Sequence, residues 1–258
     1  MSSLSDRALI APGKKRSFDT VFYRYADSMI IISEFLRQHV VSLDKDMPIL
    51  IIPPMIDFEK FDAIDFVPPG KDYFLFCGSL QYIDVVEFII EAYKKVRTDS
   101  TALVLILNGE KSKLAAVQKI MGDDSTIKIL SDLPYESLIG YYKNSMALLI
   151  PLKDNLQDKA RFPFKICEYT AAGKPIITSD SGAIVNYFTD GKDAVIARTD
   201  DADDFSAKMN FILENKELAK QIGFNGHNLG LKYFNYRSYA KPLKDFILGN
   251  LKGPNAEP

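Results

Sequence analysis

The chain has 258 residues, 47% of them apolar and 26% charged, a composition that excludes the disordered and fibrous classes and points to a soluble globular protein with a sizeable core. Its 32 Lys plus Arg against 34 Asp plus Glu leave a net charge of −2, which argues against a nucleic-acid partner held by an overall positive field. The longest apolar stretch, residues 102–107, falls far short of the roughly 18 residues needed to cross a bilayer, and no basic-then-apolar leader opens the sequence.

The two cysteines, Cys77 and Cys167, sit inside apolar runs without metal-ligand spacing, and only His39 and His227 could join them. No metal site is expected, and free buried thiols fit a reducing, cytoplasmic setting.

In chain order, residues 29–32 read as a strand apolar on both faces, 33–43 as a helix and 49–52 as a second strand. Pro53-Pro54 then stops regular structure, and residues 58–71 carry Pro68, Pro69 and Gly70 among acidic and aromatic residues, as an interdomain linker would. Strands are expected at 73–77, 102–107, 127–130, 147–150, 175–178 and 194–197. Helices are expected at 82–97, 111–121, 135–144, 164–172, 184–188 and 203–215. The stretch 233–251 reads as a closing helix and 252–258 as a frayed tail. His227 falls in what reads as a glycine-rich turn with Gly223, Gly226 and Gly230, which follow no strand and so make no dinucleotide fingerprint.

Doubly apolar strands alternating with helices mean an α/β fold: a Rossmann-like, doubly wound parallel sheet over residues 72–232. Residues 1–57 supply only two strands, too few for a domain. They either dock on the large domain or are the remnant of an N-terminal domain, the second reading being favoured.

The most informative stretch runs from Arg161 to Gly182. Pro163 suits a helix start, and Gly173 before Lys174-Pro175 suits its stop. The helix then begins at the ligand-binding end of a parallel sheet, where free amides and the helix dipole favour an anion. Arg161 and Lys165 would share its first turn and could hold a diphosphate with the amides of Phe162 to Lys165. Glu168, one turn on, leans back toward the start, where a carboxylate can accept both hydroxyls of a ribose. On helix chemistry alone a blander alternative stays open: Arg161 and Lys165 are solvated and Glu168 pairs with one of them across the turn.

Residues 168–182, Glu-Tyr-Thr-Ala-Ala-Gly-Lys-Pro-Ile-Ile-Thr-Ser-Asp-Ser-Gly, resemble the donor-site signature of family 4 glycosyltransferases with the GT-B fold. Residues 26–34 resemble that family's last acceptor-domain strand and helix, 52–61 its interdomain linker, 76–80 its first glycine loop, and 104–109 and 141–151 its later strands. The resemblance implies transfer of a sugar from a nucleotide-activated donor (UDP-, GDP- or ADP-sugar) to an acceptor glycan or lipid-linked saccharide. It further implies a retaining, metal-independent reaction without a cofactor, and a location that is cytoplasmic or peripheral at the membrane. This chain would be mainly the donor-binding half, with the acceptor domain missing or separate. It also implies donor contacts at Gly78, Ser79, Arg161, Phe162, Lys165 and Glu168, with Asp132-Leu133 near the base and Ser181-Gly182 near the glycosidic end. The sequence departs from the family where a second glutamate is common, at Ala160, and where cations are common, at Ser79 and Ile83-Asp84. No residue is assigned as general base. The alternative from another class is a GT-B-like binding or interaction module without activity of its own.

Overall fold

The structure is a computed structural model and describes residues 22–70, 72–96 and 100–251. Lys71, where the domain boundary is expected, and the tail 252–258 lie outside the described residues. The chain divides into two compact units, Pro54–Ser238 and a smaller one made from Met1–Pro53 with Tyr239–Pro258.

In the smaller unit, β1 (Met29–Ile31) is followed by α1 (Glu34–Leu43) and then β2 (Ile49–Ile51), which pairs parallel to β1 with Met29 opposite Ile49. Ser33 caps α1 by accepting from the Leu36 amide at 3.3 Å. The expectation that residues 29–32 are buried on both faces does not hold: Ile31 is buried, but Ile30 is 52% and Ile32 38% exposed.

The larger unit opens with α2 (Phe58–Asp62), capped by Asp57 accepting from the Lys60 amide. Phe58 and Phe61, three residues apart on one helix face, are buried in its core. The first part of the expected linker is therefore core structure; prolines and a glycine at 68–70 masked the apolar pair before them.

The chain then runs through β3 (Tyr73–Ser79), α3 (Ile83–Val96), β4 (Ala102–Asn108), α4 (Leu114–Met121), β5 (Ile127–Leu130), α5 (Tyr135–Asn144), β6 (Ala147–Ile150), α6 (Leu156–Ala160), α7 (Phe164–Ala171), β7 (Ile176–Ser179), β8 (Val195–Ala197), α8 (Ala202–Glu214) and α9 (Lys216–Tyr233). Last comes α10 (Ala240–Leu251), in the smaller unit. Six strands form one parallel sheet in the order β5-β4-β3-β6-β7-β8. Alternate residues feed two cores: Tyr73, Leu75 and Cys77 join one, Phe74 and Phe76 the other. Winding starts at β3, goes outward to β5 and returns to β6 on the other side of β3. The C-terminal ends of β3 and β6 thus flank the switch point where such sheets take ligands.

Two further expectations are corrected. The run holding Gly223, Gly226, His227 and Gly230 is no turn but part of α9. The glycines share one face because the helix lies on backbone there: a Cβ at Gly223 would meet the Gly173 carbonyl oxygen, and one at Gly226 the Asp193 carbonyl oxygen, each at 2.7 Å. The single closing helix is replaced by α9, a break at the buried Phe234, a 3-10 turn at Tyr236–Tyr239, and α10.

Candidate functional site

The switch point is built from four strand ends. β3 runs on to Ser79, with Gly78 and Ser79 still in register with Leu107 and Asn108, so the loop begins at Leu80 and not at Gly78. Its amides are engaged locally: Leu80 donates to the Asn108 carbonyl, Tyr82 to the Ser79 carbonyl, and Gln81 to Ser79 Oγ at 3.2 Å. Ser79 thus closes the loop with the hydroxyl assigned to the donor. After β5, Asp132 adopts a left-handed backbone (φ 53°) and donates its amide to Asn108 Oδ1 at 3.0 Å, while Leu133 packs against the core.

After β6, Asn155 caps α6 through the Asp158 amide at 2.8 Å. Asp158 is buried and organises the segment: one oxygen accepts from the Lys153 amide at 2.8 Å and the other pairs with Arg161 at 2.6 Å. Arg161 also donates to Tyr82 Oη at 3.3 Å and lies over that ring, while its buried Nε–H has no acceptor among the described residues. Phe162 is buried between Tyr187 and Phe234, so its ring serves the core. After β7, Ser181 donates to the Lys153 carbonyl at 3.1 Å, and Gly182 (φ 66°) sits where a Cβ would be 2.5 Å from the Asp158 carbonyl oxygen. Both hold the β6 loop in place. Where the resembled family often carries a cation, Asp84 instead pairs with Lys153 of that loop.

At the centre is the start of α7. Pro163 gives it no side-chain cap, so its first amides keep the anion-attracting character of a helix start. Glu168 is 5% exposed and its Oε2 meets Lys165 Nζ at 3.1 Å, with Tyr142 Oη at 3.4 Å. The pairing across the turn left open from the sequence is the one present. Lys165 Nζ stands 5.8 Å from the Tyr142 ring centroid. Burial would lower the Lys165 pKa, but Cys77 and Glu168 outweigh it and raise it above the ordinary lysine value. Burial pushes the Cys77 thiol and the Tyr142 phenol up.

All ten residues singled out from sequence therefore lie at the C-terminal ends of strands or in the segments that follow. Lys165 and Glu168 are in direct contact. Tyr82 and Tyr142 were not singled out, and Asp158 stands out in the sequence only as an acid near Ala160, out of register with the resembled family's second glutamate; Tyr142, three residues after Ile139 on the inward face of α5, carried a periodicity signal. The crevice beside Pro151–Lys153 is nearly closed, and roomier clefts lie elsewhere.

Residues 57–229 match the family described as Glycosyl transferases group 1. An uncharacterized glycosyltransferase of Methanocaldococcus jannaschii is 21% identical over 216 residues, covering 82% of this chain. The N,N'-diacetylbacillosaminyl-diphospho-undecaprenol alpha-1,3-N-acetylgalactosaminyltransferase of Campylobacter jejuni is 32% identical over 75 residues, 29% of this chain and 20% of its own length. Among solved structures, Anabaena HepE in complex with UDP and glucose superposes with a TM-score of 0.78 at 12% identity, over 93% of this chain and 68% of that one. The chain spans about 58% of the length of the archaeal relative.

Proposed function

The chain belongs to the group 1 glycosyl transferases, and from that premise we propose that it is the donor-binding half of an enzyme moving a sugar from a nucleotide donor to an acceptor glycan or lipid-linked saccharide. UDP-sugars are the first donors to test, because HepE was solved with UDP. The lipid-linked acceptor class is suggested by the name of the Campylobacter relative, and it accords with peripheral attachment at a membrane; no helix among the described residues is long and apolar enough to cross one. The reading of a module without activity is not favoured by these similarities.

The observation that carries the reading is Glu168: a carboxylate buried at the switch point, beside the uncapped start of α7, with a lysine as its partner. In this account the ribose hydroxyls donate to Glu168, displacing Lys165 Nζ toward the diphosphate, where it joins the first amides of α7. Arg161, with its unengaged Nε–H, adds a cation held in place by Asp158 and Tyr82. As the glycosidic bond breaks, negative charge grows on the leaving diphosphate, and these fixed donors stabilise it without reorganising.

Calorimetric titration with UDP, GDP and ADP tests this. One nucleotide is expected to bind at about micromolar strength, or ~−8 kcal/mol. Glu168→Ala is expected to weaken it about 10- to 100-fold, the effect of losing hydrogen bonds of ~1.5–3 kcal/mol to a charged group. Undiminished binding by a folded Glu168→Ala chain would remove the carboxylate from the site.

A further inference from the structure

At the opposite end of the large sheet, where its strands begin, a cleft of about 350 Å³ lies between the entry to β7 and the first turn of α9. Three lysines line it, Lys174, Lys216 and Lys220, against a single acid, Asp72. Two of the lysines have exposed partners: Lys216 meets Asp72 at 3.4 Å and Lys220 meets Glu217 at 2.6 Å. Lys174 is half-buried and forms no ion pair with any described residue. A half-buried ammonium without a counter-charge costs stability, and burial together with Lys220 holds its pKa below the ordinary lysine value. Asn215, at the start of α9, turns its side chain back to donate to the Phe211 carbonyl at 3.0 Å, so it leaves the first turn uncapped beside the lysines.

We propose that this cleft is a second binding site, separate from the donor site, for a phosphate-bearing anion, with Lys174 as its least exposed cation and Lys216 and Lys220 at its rim. The cleft volume suits a small phosphorylated molecule or diphosphate. The same chemistry can arrive as a free anion or as a phospholipid headgroup, and the test separates the two sources.

The experiment follows modification of Lys174 by an amine-reactive reagent, read by peptide mass spectrometry on the whole chain, with inorganic pyrophosphate in one arm and anionic phospholipid vesicles in the other. Pyrophosphate at ten times its dissociation constant is expected to slow Lys174 modification about tenfold, since only the unoccupied fraction reacts. Protection by vesicles alone supports the site with a headgroup as its source. In both cases Lys220→Gln is expected to weaken the protection. Unchanged Lys174 modification in both arms, or protection that Lys220→Gln leaves intact, overturns the proposal. Reading one lysine keeps pyrophosphate bound at the donor site from being mistaken for binding here.

Discussion

Two lysines nine residues apart are perturbed in opposite senses, and that fixes how each shapes stability with pH. Lys165 gains Cys77 and Glu168 as partners and its pKa is raised, so its contribution is complete below the unfolded value near 10.5 and is lost as pH climbs through the higher folded value. Lys174 is held low: the native state bears the full penalty at neutral pH, and stability recovers as pH rises through the lowered folded value toward 10.5. Lys174→Met is therefore expected to raise the melting temperature by about 1–3 °C at pH 7, with the gain shrinking toward pH 10. A loss of stability at pH 7 would show that Lys174 has a counter-charge after all. Lys165→Met is expected to destabilise at pH 7, because it leaves the buried Glu168 carboxylate without its cation. Thermal melts across the pH series check both. At this scale the sequence was only partly legible. Lys165 and Glu168 share a helix turn, so their contact followed from spacing. The Ser79–Gln81 and Asp158–Arg161 contacts are equally local and could have been read from spacing, but Arg161 on Tyr82 and Ser181 on Lys153 join residues 79 and 28 positions apart, which no local rule places against one another.

Among the elements, α9 shows how glycines mislead. Clustered glycines read as a turn, yet Gly223, Gly226 and Gly230 fall three and four apart, the spacing of one helix face, and each marks close approach to a neighbour. His227, between them, contacts the Thr170 carbonyl through Nδ1 at 3.1 Å, which ties α9 to α7. Gly226→Ala would gain about 0.8–1 kcal/mol in helix propensity but force a methyl against the Asp193 carbonyl, an overpacking cost of about 1–3 kcal/mol. The backbone cannot yield as a side-chain end could, so the expected net effect is a melting point lowered by a few degrees, ~2–4 °C per kcal/mol. Calorimetric melts of the variant would expose an error here as an unchanged or raised midpoint. The strands were far more legible than this helix: runs such as Ala102–Asn108 are apolar on both faces and bounded by turn residues, a signature that only a buried parallel strand satisfies well. α6 was missed because its five residues are too few for periodicity to show, and Asn155 as cap was the one local signal.

Across the whole molecule, the order β5-β4-β3-β6-β7-β8 follows from alternating strands and helices with one reversal, which the sequence implied, and it gathers four strand ends into one site. The two units differ in how well their sheets are supported. The six-stranded sheet is buried on both faces, whereas β1 and β2 form a two-stranded sheet that leaves Ile30 exposed. Amides of β1 and β2 are thus expected to exchange with solvent orders of magnitude faster than those of β3 and β4; equal protection, seen by exchange mass spectrometry, would mean that the small sheet is stabilised to the level of the core. The measurement that tests the account most directly is the same exchange experiment repeated with UDP and with a UDP-sugar. Slowed exchange at residues 78–82 and 161–168, reduced in Glu168→Ala, is the predicted result. Protection centred on Lys174 and the start of α9, with none at the start of α7, would contradict the assignment of the donor site.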